Sequence, residues 1–245
     1  MEKTTSVQIP ERYRYQRVEQ TGKEVKIIFV QEDAACENGA ITCIKVDDLS
    51  AKDFKNWDPT TAWQKTGKQR ILEALKHKPR SGCIYTTTYE VSEVDGEMQS
   101  VAGAMPLVGK SCNEAKTLAK QFDQARDSRL GTLHEYFLII ARLLKDQVIT
   151  PEQAFDNSRT VGNYWNNPNS AQKMQKTGTY WNGPLAGFIG NTYKILADDQ
   201  SDTGFSLVGG SYYGSGDKCP AGDVCHVDFP NYALYSSVLW VVLEK

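Results

Sequence analysis

The residues best suited to covalent or metal chemistry are six cysteines and three histidines, and their spacing matches no common site. The cysteines stand at positions 36, 43, 83, 112, 219 and 225, with no Cys-x-x-Cys pair and no histidine at zinc-finger spacing. Cys36 with Cys43, and Cys219 with Cys225, each close a short loop. Each pair predicts either a local disulfide, if the protein works outside a cell, or free thiols in a reducing compartment. We expect no metal and no other cofactor.

Two further segments match ligand-binding motifs only in part. Residues 104–111 resemble a P-loop, but the first glycine is an alanine, Pro106 stiffens the loop and no Walker-B aspartate follows. We interpret Lys110 as an exposed lysine at a strand-to-helix connection. Three aspartates within 198–202 indicate a solvated acidic turn, with calcium binding as the alternative, because the EF-hand spacing and its final glutamate are missing.

The first hundred residues are rich in patterns that predict β-strands. Residues 23–31 and 40–46 are rich in β-branched side chains and are bounded by turn formers, so each predicts a strand. Asp95-Gly96, flanked by alternating residues, predicts a hairpin turn. Between them, residues 66–77 predict one helix. This part of the chain is therefore expected to be a β-rich region, residues 1–104.

From residue 112 the hydrophobic period becomes helical. Residues 113–125 and 132–147 each place apolar side chains at i, i+3, i+4 and i+7, which predicts two amphipathic helices. Thr132 stands three residues before Glu135, a possible capping box at the start of the second helix. After residue 157, glycine, asparagine, serine and aromatic residues dominate, which favours short strands joined by long loops.

The order of these blocks resembles the formylglycine-generating-enzyme branch of the C-type-lectin fold. EAKTLAKQFDQARDSRLGTLHEYFLIIARLL (114–144) matches its two helices with the Ser-Arg-Leu block between them. LVGGSYY (207–213) matches its Gly-Gly-Ser block, and SSVLWVVLEK (236–245) its terminal strand. The resemblance implies an α+β C-type-lectin-like domain over residues 105–245, with two helices on a small twisted antiparallel sheet. Residues 1–104 would then be an attachment or oligomerisation region.

The resemblance implies a binding protein rather than an enzyme. In the generating enzyme a copper-binding cysteine pair follows the Gly-Gly-Ser block at once, whereas here the cysteines arrive only at 219 and 225. The oxidase site therefore does not carry over. A non-enzymatic branch of the same fold includes phage receptor-binding proteins, such as major tropism determinants, and other variable proteins diversified by retroelements. Their binding faces lie in the last few dozen residues.

The corresponding part of this sequence is rich in tyrosine, serine, asparagine and aspartate. Tyrosine gives a large amphipathic contact area at low entropic cost, and the small polar residues adapt to a ligand. The predicted ligand-binding residues are Tyr212, Tyr213, Ser215, Asp217, Asp223, Asp228, Asn231, Tyr232 and Tyr235.

Charge and hydropathy restrict the partners. The 245 residues include 28 Lys and Arg against 30 Asp and Glu, a net charge of −2, which argues against a nucleic-acid binder. No apolar run approaches the length of a membrane helix, and the first residues contain no secretory signal. We expect a homo-oligomeric virion protein, a trimer by analogy, assembled in the host cytoplasm beside other virion structural proteins. It would recognise a host-surface protein or glycan. The alternatives are a cytoplasmic cellular ligand-binding protein of the same fold and a formylglycine-generating-like enzyme.

Overall fold

The computed structural model describes residues 13–19, 25–31, 39–167, 173–197, 205–227, 233 and 235–243. The helices within these ranges are α1 (Ala62–Ala74), α2 (Cys112–Phe122), α3 (Leu133–Lys145) and α4 (Pro151–Phe155). The strands are β1 (Tyr13–Glu19), β2 (Val25–Gln31), β3 (Ile41–Lys45), β4 (Cys83–Thr87), β5 (Ser92–Val94), β6 (Glu97–Gln99), β7 (Arg129–Leu130), β8 (Trp181–Asn182), β9 (Leu185–Ala186), β10 (Tyr193–Ala197), β11 (Phe205–Val208), β12 (Cys225–Val227), β13 (Ser237–Leu239) and β14 (Val241–Leu243).

Side-chain caps determine where the helices begin. Ser111 and Thr132 each accept a hydrogen bond from the backbone three residues on, and the glutamates at those positions return it, so both α2 and α3 start with a capping box. The helix predicted over 66–77 begins earlier, because Thr61 caps α1 by accepting from the Gln64 amide. The helix predicted to reach residue 125 ends at Phe122, and a 3₁₀ turn follows it.

Two four-stranded sheets organise the chain. One has the order β3-β4-β14-β7 and the other β12-β11-β10-β13. The consecutive strands β13 and β14 belong to different sheets, so the last described segment joins the two. One pair, β10 with β13, is parallel, which departs from the purely antiparallel sheet expected from the sequence. The intervening hairpin β11–β12 and its loops provide the long crossover that a parallel pair requires.

The first sheet joins strands from both sides of residue 104. β3 and β4, from the β-rich region, pair with each other and then with β14. The hairpin predicted at Asp95-Gly96 forms between β5 and β6. β1 and β2 form a separate two-stranded antiparallel sheet. Their role in attachment or oligomerisation stays a prediction.

The core lies between α3, α1 and the sheets. Residues 136–141 of α3 are buried on every side, so this helix lies at the centre of the domain. Tyr136 stacks on Phe188 with ring centroids 4.8 Å apart, and Trp240 meets both rings edge-on. Burial of each such aromatic ring contributes about 2–3 kcal/mol to folding.

The disulfide in the described structure joins Cys43 to Cys83, with the Cα atoms 5.7 Å apart. Neither alternative for Cys43, a local disulfide with Cys36 or a free thiol, is therefore correct; Cys36 itself lies outside the described residues. The reason is the register of β3 and β4: Cys43 pairs with Tyr85 and Lys45 with Cys83, so the two cysteines are diagonal neighbours on adjacent strands. Cys219 and Cys225 are free thiols, the alternative to the predicted second disulfide.

No helix of the described ranges is both long and apolar enough to span a bilayer. Those ranges also contain no group of three or more metal-ligating side chains. The acidic loop 198–202 lies outside the described residues, so its calcium-binding alternative is not addressed by the structure.

Candidate ligand-binding face

The Gly-Gly-Ser block forms the turn that ends β11. Gly209 and Gly210 have φ angles of +87° and +68°, in the left-handed region that glycine adopts without strain. A Cβ atom on Gly210 would lie 2.4 Å from the ring of Tyr164. The Tyr164 hydroxyl donates to the Gly209 carbonyl oxygen at 2.9 Å. The glycines thus let the chain pass close over a buried tyrosine and turn outward at Ser211.

The Ser-Arg-Leu block is also structural. The Ser128 hydroxyl donates to the Ala119 carbonyl at 2.6 Å and accepts from the Asp123 amide at 2.8 Å, which closes the end of α2. The Arg129 guanidinium forms two parallel hydrogen bonds with the Glu135 carboxylate, at 2.9 and 2.7 Å. This bidentate pair fixes the direction in which α3 leaves β7.

After the turn, residues 211–217 form a surface loop that carries two tyrosines. Tyr213 is 81% exposed, and its ring meets that of the partly buried Tyr212 edge-on, with centroids 6.5 Å apart. The Tyr212 amide donates to the Asn191 carbonyl oxygen at 2.9 Å. The backbone of the loop is therefore anchored while one aromatic side chain projects into solvent.

A second loop, residues 163–167, lies against the first. Trp165 is 55% exposed, and its amide donates to the Gly214 carbonyl oxygen at 3.0 Å. Asn166 donates to Asp217 at 2.8 Å and accepts from the Gly216 amide at 3.0 Å. Trp165 and Asn166 were missed in the sequence reasoning; the signal that could have found them is the aromatic and asparagine-rich run NYWNNPN (163–169).

The Asp217 carboxylate accepts hydrogen bonds from both loops, from Asn166 in one and from Ser215 in the other. The Ser215 hydroxyl hydrogen-bonds to the same carboxylate, and this bond holds the pKa of Asp217 below its ordinary value. A carboxylate with its acceptor positions partly occupied keeps a fixed orientation. We name the exposed surface formed by Trp165, Asn166, Tyr212, Tyr213, Ser215 and Asp217 the ligand face.

The remaining predicted site residues lie elsewhere or outside the described residues. Asp223 is partly buried, 3.9 Å from the Cys225 sulfur, and burial raises its pKa. Tyr235 is 76% exposed and packs beside Gly109, in the segment that precedes α2. Asp228, Asn231 and Tyr232 fall outside the described residues.

A buried ion pair lies beneath the two loops. The Lys194 ammonium is 3.2 Å from a Glu90 carboxylate oxygen, and both side chains are almost wholly buried. Burial raises the pKa of Glu90 and lowers the pKa of Lys194, because both charged forms lose their hydration. Hydrogen bonds compensate: Thr192 donates to Glu90 at 2.5 Å, and Lys194 also donates to two backbone carbonyls.

Asn191 connects this ion pair to the ligand face. Its side-chain amide donates to Glu90 at 2.6 Å, and its side-chain oxygen accepts from the Asn163 side chain at 3.0 Å and from the Gln175 amide at 2.8 Å. Its backbone amide donates to the Asn163 carbonyl oxygen at 3.0 Å, and its backbone carbonyl accepts from the Tyr212 amide at 2.9 Å. Asn191 has a φ of +62°, a conformation that asparagine tolerates better than most residues. Both loops of the ligand face are thus fastened to one buried residue: the loop 163–167 bonds its side chain and backbone, and the loop 211–217 bonds its backbone carbonyl.

The chemistry that the ligand face offers is contact and hydrogen bonding. Its exposed rings supply amphipathic area, and its amide, hydroxyl and carboxylate groups supply donors and acceptors on a rigid support. Such exposed aromatic groups framed by polar side chains are typical of interaction surfaces.

Comparison with known proteins identifies the fold. No protein-family model and no curated protein sequence matches the chain. Among solved structures, PvdO from Pseudomonas aeruginosa superposes with a TM-score of 0.51 at 10% identity, over 67% of this chain and 81% of its own. CarF covers 76% of this chain and 85% of its own, with 16% identity and a TM-score of 0.42. Treponema denticola variable protein 1 covers 95% of this chain and 93% of its own, with 12% identity and a TM-score of 0.31. The superposition on PvdO confirms the fold that the Ser-Arg-Leu and Gly-Gly-Ser blocks predict: this chain has a C-type-lectin-like fold.

Proposed function

We propose that this protein is a non-catalytic binding protein that recognises its ligand through the ligand face. The observation that carries the proposal is the pairing of two solvent-exposed aromatic side chains, Trp165 and Tyr213, on loops whose backbones are hydrogen-bonded to each other and to Asn191. Large aromatic groups on a preorganised backbone bind with little loss of conformational entropy.

The polar side chains of the ligand face would orient a bound ligand. Asn166 and Asp217 hold each other at 2.8 Å, so their remaining hydrogen-bonding capacity points from a fixed position. A ligand that lies across Trp165 and Tyr213 would meet an amide and a carboxylate beside the rings. We propose a host-surface protein or glycan as this ligand.

The proposal extends to the biological setting. The resemblance to phage receptor-binding and retroelement-diversified proteins supports a virion protein that attaches to a host and works as a symmetric oligomer. Analytical ultracentrifugation of the full chain tests the oligomeric part, and we expect the mass of a trimer. A monomeric mass at micromolar concentration would contradict the proposed oligomer.

Binding is tested with the fluorescently labelled full chain on intact candidate host cells and on arrayed glycans. Protease treatment of the cells separates the two ligand sources, since it removes a protein ligand and leaves glycans in place. We expect Trp165→Ala and Tyr213→Ala each to weaken binding about 30-fold, the effect of losing a hot spot of about 2 kcal/mol.

The matched control is Trp63→Ala. Trp63 is 42% exposed at the start of α1 and belongs to neither loop, so its removal should leave binding unchanged. Equal losses in all three variants, or full binding by Trp165→Ala and Tyr213→Ala with intact thermal stability, would refute the ligand face as the recognition surface.

A further inference from the structure

A groove that shares no residue with the ligand face opens between the start of β4 and the start of α3. Its volume is about 530 Å³, within the usual range for small-molecule sites. Ile84, Tyr85, Val242 and Leu243 form its apolar part. The polar part consists of His77, Arg80, Ser81, Arg129, Thr132, His134 and Glu135.

The charge of this lining is positive. Glu135 is its one carboxylate, and both of its oxygens are already engaged: Arg129 binds them at 2.9 and 2.7 Å, and Thr132 donates to one from its amide at 2.8 Å. Arg129 and Glu135 therefore neutralise each other. Within the part of the chain that the structure describes, Arg80 at the exposed rim is left as the uncompensated charge of the lining.

Two histidines stand side by side in the same groove. The rings of His77 and His134 stack with centroids 4.2 Å apart and an interplanar angle of 19°. Two imidazolium ions at this distance repel each other, and an anion beside them would offset the repulsion. Charged groups near the pair, among the described residues, include Glu73 on α1, which binds both Lys76 at 2.6 Å and His77 at 3.4 Å, and the Arg80, Arg129 and Glu135 groups already described.

We propose that this groove is a second binding site, specific for a small organic anion that carries a sulfate, phosphate or carboxylate group. The anionic group lies between Arg80 and the stacked histidines, and the remainder of the ligand rests on Tyr85 and the apolar wall. The site is independent of the ligand face and of the function proposed for it.

Histidine NMR tests this proposal directly, because the chain contains only three histidines. Inorganic sulfate is titrated into the full chain at constant ionic strength, with chloride as the balancing anion. We expect saturable shifts of the His77 and His134 ring signals. His226 belongs to β12, in the other four-stranded sheet, and serves as the internal reference.

Two variants at the exposed rim sharpen the test without disturbing the core. Arg80→Gln and His77→Gln should each weaken sulfate binding about fivefold or more, because the first removes a charged donor and the second removes an imidazole ring that faces the anion. Lys55→Gln makes the same change in net charge as Arg80→Gln, at an exposed lysine that is not among the described residues of the groove lining, and should have no effect.

Equal shifts of all three histidines, or shifts that grow linearly without saturation, would overturn the proposal. So would an equal loss of affinity in Lys55→Gln. A titration series with inorganic phosphate, acetate and sulfate then separates the three anionic groups by their relative affinities. None of these outcomes depends on host binding, so failure here and failure of the ligand face are distinguishable.

Discussion

Replacement of Asn191 by alanine should destabilise the protein and make the two loops of the ligand face more mobile. The Asn191 side chain is 2% exposed and forms hydrogen bonds with Glu90, Asn163 and both backbone groups of Gln175. Alanine removes all of them and leaves their partners inside the protein. The two loops keep their backbone bonds to residue 191 and their direct contacts with each other, but residue 191 loses the side-chain bonds that hold it in place.

The size of the effect follows from these partners. A buried hydrogen bond contributes about 1 kcal/mol net, and one to a charged group about 2 kcal/mol. Glu90 keeps Thr192 and Lys194 as partners, and the Gln175 groups lie near enough to the surface for water to replace part of the loss. We therefore expect the free energy of unfolding to fall by about 3 kcal/mol.

Asn191→Gly is the matched control for backbone conformation. At a φ of +62°, glycine relieves strain whereas alanine adds about 1 kcal/mol of it. If the hydrogen bonds matter, glycine also destabilises the protein, by about 1 kcal/mol less than alanine. If only the backbone angle matters, glycine is neutral or stabilising.

Urea denaturation gives the free energies, and hydrogen exchange gives the location. Protection of the Tyr212 and Trp165 amides should drop in both variants, because these amides hold the two loops in place. A destabilisation below 1 kcal/mol, or unchanged protection of these amides, would refute the role assigned to Asn191.

Two further predictions concern single positions. Gly210→Ala should lower the free energy of unfolding by about 3 kcal/mol, because its Cβ would lie 2.4 Å from the Tyr164 ring at a φ of +68°; an effect below 1 kcal/mol in urea denaturation would contradict this. The Asp217 carboxyl should titrate below 3.8, and Ser215→Ala should raise its pKa toward that value, as measured by carboxyl NMR. Since the pKa is lowered in the folded state, the Asp217 contribution to stability is present above pH 3.8 and is lost as the pH falls through the folded-state pKa; an unchanged pKa in Ser215→Ala would disprove the cause.

The sequence alone determined the local features of the fold. The capping box at Thr132, the apolar period of α2 and α3, and the Asp95-Gly96 turn act over a few residues, so their signals can be read directly. The Gly-Gly-Ser block is of the same kind, because a turn with positive φ selects glycine whatever surrounds it. The order of the two helices, the Ser-Arg-Leu and Gly-Gly-Ser blocks and the terminal strand predicted the C-type-lectin-like fold.

The tertiary structure alone decided which distant segments meet. Cys43 bonds Cys83 across 40 residues, Asn166 meets Asp217 across 51, and Glu90 meets Lys194 across 104. Neither partner of such a pair carries a local pattern that names the other. Each contact depends on the strand order and on the packing that brings two loops or strands together, and many sequence separations satisfy the same local preferences. For this reason the sequence located tyrosines of the ligand face but missed Trp165, Asn166 and the buried asparagine that holds them.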